Sequence, residues 1–279
     1  MAHKSHLLIC VAAIAGLAAV IFAAYASAQG ETGGHPQISS SGGLALLHKM
    51  QAALGGADKL ERANDFEETV KAQIWNNAGT PTAEVWKRVR WMRNPNILRL
   101  DQYGPRDTYV LFLDARTDSG WEMLPDRRGA DPYKTAGEAI PLAGGELRFA
   151  KSYLTSFDLA MWLADRNPGY VVTSPTTNVL RIAHDGTASD MTLDPATWLP
   201  LKSDSVSLSD PNRPVPAEMR LEEWSVFDGI RLPTKRANYH SGAKLAEEVS
   251  LGPIRINGGL MPEELATKPV DFAPVIPAR

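Results

Sequence analysis

The segment FEETVKAQI (residues 66–74) indicates the fold class, because its apolar and polar side chains alternate along the chain. Phe66, Val70, Ala72 and Ile74 are apolar, and most of the residues between them are charged or hydroxyl-bearing. A period of two places successive side chains on opposite faces of a β-strand. The segment therefore predicts a strand that is buried on one face.

Glu68 interrupts this pattern, since its position falls on the apolar face of the predicted strand. A carboxylate there is either at the edge of the sheet or an inward polar anchor, and we favour the edge. Its neighbour Glu67 points to the other face, so the two carboxylates cannot share a proton. The same argument applies to Glu222 and Glu223.

Further strand-like segments extend over most of the chain, from residues 83–92 to residues 243–256, with turn signals such as 76–79 and 227–229 between them. No strand–helix–strand alternation typical of a parallel sheet is present. The pattern predicts a mainly β (α+β) protein. Its sheet is an open, strongly curved antiparallel half-barrel of about ten or eleven strands, because a long meander must coil.

Two helical regions complete the predicted architecture. Residues 44–64 carry apolar side chains at three- and four-residue spacing and are interrupted at Gly55 and Gly56. Residues 146–167 are apolar over a wide arc, which indicates a helix buried on more than one side. These helices are the available cover for the concave face of the sheet.

The N-terminus has the features of a bacterial secretory signal peptide. Lys4 precedes an apolar run, and the small residues Ala26, Ser27 and Ala28 favour cleavage before Gln29. The alternative is an uncleaved anchor, because an apolar run of about 19 residues is near the lower length that spans a bilayer. We expect cleavage and a periplasmic protein. The expected organisation is a signal peptide (1–28), a flexible leader (29–43) and a single domain (44–279).

Composition excludes several classes of function. The chain has a formal net charge of −3 at pH 7, which argues against the basic surface that a nucleic-acid partner requires. The one cysteine, Cys10, lies in the expected signal peptide, so the mature chain has no thiol chemistry. We expect no cofactor and no more than transient membrane contact.

No motif indicates catalysis. The G-x-S-x-G, H-E-x-x-H and G-x-G-x-x-G patterns are absent from the sequence, and the S-x-x-K match at Ser241 falls in a predicted hairpin turn. No histidine pair has metal-ligand spacing, so no metal site is expected. A hydrolase with an unfamiliar site remains an alternative, with His184, Asp185 and Asp190 as its candidate residues, although turn residues are the simpler interpretation.

Several turn motifs resemble those of a known family. These are residues 53–60 (ALGGADKL), 194–202 (DPATWLPLK), 227–233 (FDGIRLP) and 256–262 (INGGLMP). They are similar to segments of the LolA/LolB-like periplasmic proteins, which sort outer-membrane lipoproteins. The resemblance extends over most of residues 44–270 and implies an open half-barrel with helices against its concave side. It implies a carrier function less directly, because the motifs are turns and fold does not determine function.

Three functions are compatible with these features. The first is a non-enzymatic periplasmic protein that binds or carries an apolar or acylated ligand, with outer-membrane lipoprotein or lipid trafficking as one role of this kind. The second is a cell-envelope interaction module with a filled core and a protein partner, and the third is the hydrolase. Candidate residues lining a ligand cavity are Val70, Ile74, Val89, Trp91, Leu98, Leu100, Leu111, Leu113, Trp121, Met123 and Trp162.

Overall fold

The computed structural model describes residues 38–76, 78–104, 108–125, 136–155, 158–184, 187–207 and 215–272. The expected signal peptide, most of the leader and Asp185 lie outside these residues. Among the described residues, no helix combines the length and the apolar composition needed to cross a lipid bilayer.

The described strands confirm the predicted fold class: they belong to one open antiparallel sheet of fourteen strands. The number is higher than expected, partly because residues 243–256 form two strands and a short strand lies where a loop was predicted. The strands are β1 (Asp65–Trp75), β2 (Pro81–Met92), β3 (Ile97–Tyr103), β4 (Tyr109–Asp114), β5 (Ser119–Met123), β6 (Ile140–Pro141), β7 (Val171–Thr176), β8 (Val179–His184), β9 (Thr187–Leu193), β10 (Pro200–Ser207), β11 (Val215–Phe227), β12 (Ile230–His240), β13 (Ala243–Ser250) and β14 (Arg255–Ile256).

The chain divides into two compact units. Of the described residues, the first unit contains those within 63–154 and 244–272, and the second contains those within 38–62 and 155–243. In the first unit the strand order is β6-β5-β4-β3-β2-β1-β13, and β14 also pairs with β1. In the second unit the order is β12-β11-β10-β9-β8-β7.

The described helices are α1 (Ser41–Leu54), α2 (Ala57–Arg62), α3 (Gly144–Thr155), α4 (Asp158–Met161) and α5 (Pro262–Ala266). The predicted interruption after α1 is confirmed. Gly55 has φ 120°, and its backbone N–H closes the helix end by donating to Ala52 O. At the other end, the Ser40 hydroxyl accepts a hydrogen bond from Gly43 N at 3.1 Å, which is an N-cap.

The prediction of one continuous helix over residues 146–167 is wrong. After α4 the chain makes tight turns, in which Ala164 N donates to Met161 O at 3.0 Å and Arg166 N donates to Leu163 O at 2.9 Å. These hydrogen bonds span three residues, and this tighter winding ends the α-helical geometry. The apolar side chains of this region are divided between the two units, because nearly all of α3 belongs to the first unit and α4 belongs to the second.

Helix α1 covers part of the sheet in the second unit. Its apolar stripe, which includes Leu47, Met50 and Leu54, is fully buried. Gln51 ties the helix to the turns after α4, because its amide nitrogen donates to Trp162 O at 2.9 Å and to Asp165 Oδ1 at 2.7 Å. The N-terminal turn of α1 lies so close to β7 that a Cβ atom on Gly43 would be 2.6 Å from Thr173 Cα.

This close approach predicts opposite effects for two adjacent glycines. Gly43→Ala is expected to lower the free energy of unfolding by about 1–3 kcal/mol, because backbone atoms of β7 must move. Gly42→Ala meets nothing within 4 Å, so it is expected to be neutral or to stabilise by up to about 1 kcal/mol through helix propensity. Chemical denaturation of both variants measures the difference, and equal stabilities would contradict the described packing of α1 on β7.

Candidate functional site

Strand β1 lies between β2 and β13, and its register determines which side chains of the first unit share a face. Residues that are directly opposite in an antiparallel pair point to the same side of the sheet. We call the side with Phe66, Val70 and Ile74 face A, and the side with Glu67, Thr69 and Lys71 face B. The register extends this division through β2, β3, β4 and β5.

Eight of the eleven predicted lining residues lie on face A. Trp91, Leu98 and Leu113 are consecutive partners across β2, β3 and β4. Val89, Leu100 and Leu111 form the next row in the same strands. Val70 and Ile74 follow on β1, and all eight are buried except Ile74, which is partly exposed.

Two of the other three candidates lie on the opposite face, and the third belongs to the second unit. Trp121 and Met123 lie on face B, opposite Phe112 and Val110 of β4. There the Trp121 ring stacks on the Phe112 ring with centroids 5.5 Å apart. Trp162 belongs to the second unit, where its ring centroid is 6.2 Å from that of Trp224. The proposed lining below is therefore restricted to the eight residues of face A.

Sequence reasoning missed a polar row that crosses face A beside the apolar rows. Ser250, Lys87, Gln102 and Tyr109 occupy one register line across the sheet, with Val70 between Ser250 and Lys87. The side chain of Gln102 is fully buried, like that of Lys87. The sequence did contain a signal for this row. Lys87 and Gln102 each lie an even number of residues from the apolar residues of their own strand, so each shares a face with them.

The central interaction of this row is a buried ion pair. Lys87 Nζ lies 2.9 Å from Glu248 Oε1, and the two side chains are 0% and 1% exposed. Burial lowers the pKa of Lys87 below its ordinary value, and the charge and hydrogen bond of Glu248 oppose that effect. An ion pair without solvent must offset a large desolvation cost, so its presence is weak evidence for added stability.

Glu68 is an inward residue of the same face, and the favoured edge assignment is wrong. Its side chain is 4% exposed, because β1 has paired strands on both sides. The Ser250 hydroxyl donates a hydrogen bond to Glu68 Oε1. The neighbouring Glu67 points to face B as expected, where Arg88 Nη2 lies 2.9 Å from its Oε1.

Helix α3 lies near face A. Burial raises the pKa of the Tyr153 hydroxyl on this helix, and the charge of Glu248 on face A raises it further. Just before the helix, Leu142 N donates to Gly120 O at 2.9 Å. On the solvent side, Lys151 Nζ of α3 lies 2.6 Å from Asp118 Oδ1.

Face B of the first unit is covered differently, by the C-terminal segment. Leu265 of α5 is fully buried against a cluster that includes Met92 and Phe112. Arg99 anchors this segment, because its Nη1 donates to Leu265 O at 2.8 Å and also to Thr267 O. The apolar part of face B is therefore occupied by the protein's own chain.

The candidate catalytic dyad of His184 and Asp190 is not formed. Asp190 pairs with Arg181 on the adjacent strand through two contacts of 2.6 Å. His184 lies on the other side of β8, where its ring is tilted against that of Tyr170 with centroids 4.4 Å apart. In the described part of the chain, no three His, Cys, Asp or Glu side chains converge as a metal site would require.

Several solved structures are similar to this chain. A LolA superfamily protein from Nitrosomonas europaea is similar over 81% of this chain and 97% of its own, with 12% sequence identity and a TM-score of 0.51. A DUF1329 family protein from Desulfovibrio piger is similar over 81% of this chain and 98% of its own chain, with 11% sequence identity and a TM-score of 0.50. An outer-membrane lipoprotein-sorting protein domain from Vibrio parahaemolyticus is similar over 80% of this chain and 95% of its own chain, with 13% sequence identity and a TM-score of 0.49.

No protein-family model and no curated protein sequence matches the chain. The structural similarity confirms the resemblance expected from the turn motifs at the level of the fold. The chain has a LolA-like fold.

The buried ion pair makes a prediction about stability. Lys87→Met is expected to lower the free energy of unfolding by about 3–5 kcal/mol, because Glu248 would remain buried without its cation. The double variant Lys87→Met/Glu248→Leu should recover most of that loss, since it removes both charges. Denaturant titration of the two single variants and the double variant measures the coupling.

The exposed pair Lys71–Glu84 on face B is the control. Its two side chains are 40% and 46% exposed, and Lys71 Nζ lies 2.7 Å from Glu84 Oε1. Lys71→Met should change the free energy of unfolding by less than about 1 kcal/mol. If Lys87→Met were as mild as Lys71→Met, the buried pair would not exist as described.

Proposed function

We propose that this protein is an exported, non-enzymatic binding protein for a lipid-like amphiphile, which it holds on face A of the first unit beneath helix α3. The ligand chain lies along the rows that contain Trp91, Leu98, Leu100 and Leu111, and its polar end lies at the row that contains Lys87. We also propose that the signal peptide (1–28) is cleaved, that the leader (29–43) precedes a single domain (44–279), and that the mature protein is periplasmic.

One observation carries the proposal: face A has an apolar part and a polar part in register with each other. The rows through Trp91 and Val89 are apolar across β2, β3 and β4, and the next row holds Lys87, Gln102 and Tyr109. Ligand pockets combine an apolar lining with a few polar groups that fix orientation. A face that served packing alone would gain stability from apolar residues in place of the ion pair.

The LolA-like fold supports the same proposal by analogy, since a LolA superfamily protein is among the similar structures. The proposal requires helix α3 to move when a ligand enters, because the face A side chains are buried. Its connections to the sheet are compatible with such movement. The contact of Lys151 with Asp118 is exposed to solvent, and the helix begins at Gly144, which has a φ of 53°.

The second candidate is the cell-envelope interaction module, and the burial of face A is the observation that favours it. Val70 and Leu113 are fully buried, and Leu100 is 1% exposed. A face that remained filled by α3 would leave no room for a chain, and the protein would then act through a partner protein at its surface.

Ligand binding distinguishes the two candidates. The precursor is expressed for export, and the mature protein, expected to begin at Gln29, is titrated with the neutral fluorophore phenylnaphthylamine. We expect saturable binding. Leu100→Phe should weaken it by about tenfold, because an added ring fills the space beneath α3 and overpacking of this kind costs about 1–3 kcal/mol.

Leu221→Phe is the matched control, because Leu221 is equally buried but belongs to a core cluster of the second unit. It should bind the fluorophore as the unmodified protein does. No binding by the unmodified protein, or equal loss in the two variants, would reject the face A site and favour the interaction module. Denaturing mass spectrometry of the exported protein should also find a co-purified acylated molecule.

A further inference from the structure

The apolar part of face A is short in the direction of the strands. On β2 it contains Val89 and Trp91, which lie between the polar row of Lys87 and the connection of residues 93–96 that joins β2 to β3. Because a strand rises about 3.4 Å per residue, the positions of Lys87 and Trp91 are about 14 Å apart. A ligand chain whose polar end lies at Lys87 therefore meets Trp91 after a short distance.

Two contacts hold the indole ring of Trp91, and both come from the connection of residues 93–96. Trp91 Nε1 donates a hydrogen bond to Asn96 Oδ1 at 3.2 Å, and the guanidinium carbon of Arg93 lies 5.1 Å from the ring centroid. A guanidinium over an indole is an attractive cation–π contact. Arg93 is anchored in turn, because its Nε donates to Ala63 O at 3.1 Å. The ring is thus held at the end of face A that lies beside this connection.

The row of Trp91 is also closed toward the edge of the sheet. It continues through Leu98 and Leu113 to Gly120 on β5. The Leu142 side chain occupies the face A side of Gly120, since a Cβ atom on this glycine would be 2.7 Å from Leu142 Cδ1. The backbone N–H of Leu142 donates to Gly120 O at 2.9 Å, which fixes Leu142 to β5. The protein's own side chain therefore blocks the extension of a ligand chain along this row as far as β5.

We propose that Trp91 is the end wall of the ligand site, that it limits the ligand to one straight chain of about eleven carbons, and that Asn96 is the positioning residue for its ring. This inference rests on the proposed function and specifies the class of its ligand. Carbon–carbon bonds of about 1.5 Å at angles of about 111° advance an extended chain by about 1.25 Å per carbon. About eleven carbons therefore span the distance from the row of Lys87 to Trp91, and the carbons of a longer chain remain outside the site.

A series of primary alkanols from octanol to tetradecanol tests the chain length. Each alkanol, used below its solubility limit, competes with phenylnaphthylamine for the mature protein. Each additional buried methylene should lower the displacing concentration about fourfold, because its burial removes apolar surface from water. We expect this decrease to stop at about eleven carbons, where the chain reaches Trp91. This break in the series reports the depth of the site rather than its overall affinity.

Trp91→Leu tests the end wall, and Trp121→Leu is its matched control. The smaller side chain at position 91 deepens the site, so the break should move to chains that are longer by about two carbons. Trp121 lies on face B of the same unit, where its ring stacks on that of Phe112. The same substitution there should leave the break unchanged.

Asn96 is exposed, so its variants test the positioning of the ring without altering buried residues. Asn96→Ala removes the acceptor of the indole N–H and allows the ring to tilt, so the decrease should continue for about one further carbon. Asn96→Asp retains an acceptor oxygen and should restore the original break. Octanol, which is too short to reach the ring, should bind both variants as it binds the unmodified protein.

The outcomes separate the chain-length inference from the proposed function. Absence of fluorophore binding by the unmodified protein would reject the proposed function itself. Fluorophore binding with an even decrease through tetradecanol, or with no displacement by any alkanol, would overturn the end wall and leave the function intact. An equal shift in Trp91→Leu and Trp121→Leu would overturn it as well, and a break that Asn96→Ala does not move would overturn the positioning role of Asn96.

Discussion

The pairing register of β1 with β2 and β13 is the constraint on which the first unit depends. Because side chains alternate with a period of two, a slip of one residue would exchange faces A and B along the whole strand. Such a slip would bring Glu67, Thr69 and Lys71 to face A and move Phe66 and Val70 to face B. The register of Val70 with Lys87 and of Ala72 with Glu248 also brings the ion pair together across β1.

The ion pair and the buried carboxylates oppose the stability that the apolar rows supply. Each buried apolar side chain contributes about 1.5–3 kcal/mol through removal from water, whereas a buried charge is tolerated only when it is paired or hydrogen-bonded. A core selected for stability alone would hold apolar residues at these positions. Under the proposed function, these residues of face A would recognise the polar group of a ligand.

The sequence was sufficient for the fold class because alternation in residues 66–74 and the turn motifs are local signals. Eight of the eleven candidate residues share face A, although their role as a cavity lining stays a prediction. It misplaced Trp121 and Met123, because an apolar side chain on a strand does not reveal which face it occupies when both faces are covered. Here α5 and the C-terminal segment cover face B. The polar row was missed because the partner of Lys87 lies on β13, more than 150 residues away, and only the tertiary register reveals it.

The most direct test of the central claim is to locate a bound chain. The mature protein would be crystallised with a long-chain alcohol that carries bromine at the end of its chain, and the bromine would be located by anomalous diffraction. The account predicts a bromine peak beneath α3 beside Trp91 and Leu98, with the hydroxyl toward the row of Lys87 and Gln102. A peak on face B or at the protein surface, with face A still filled by α3, would contradict it.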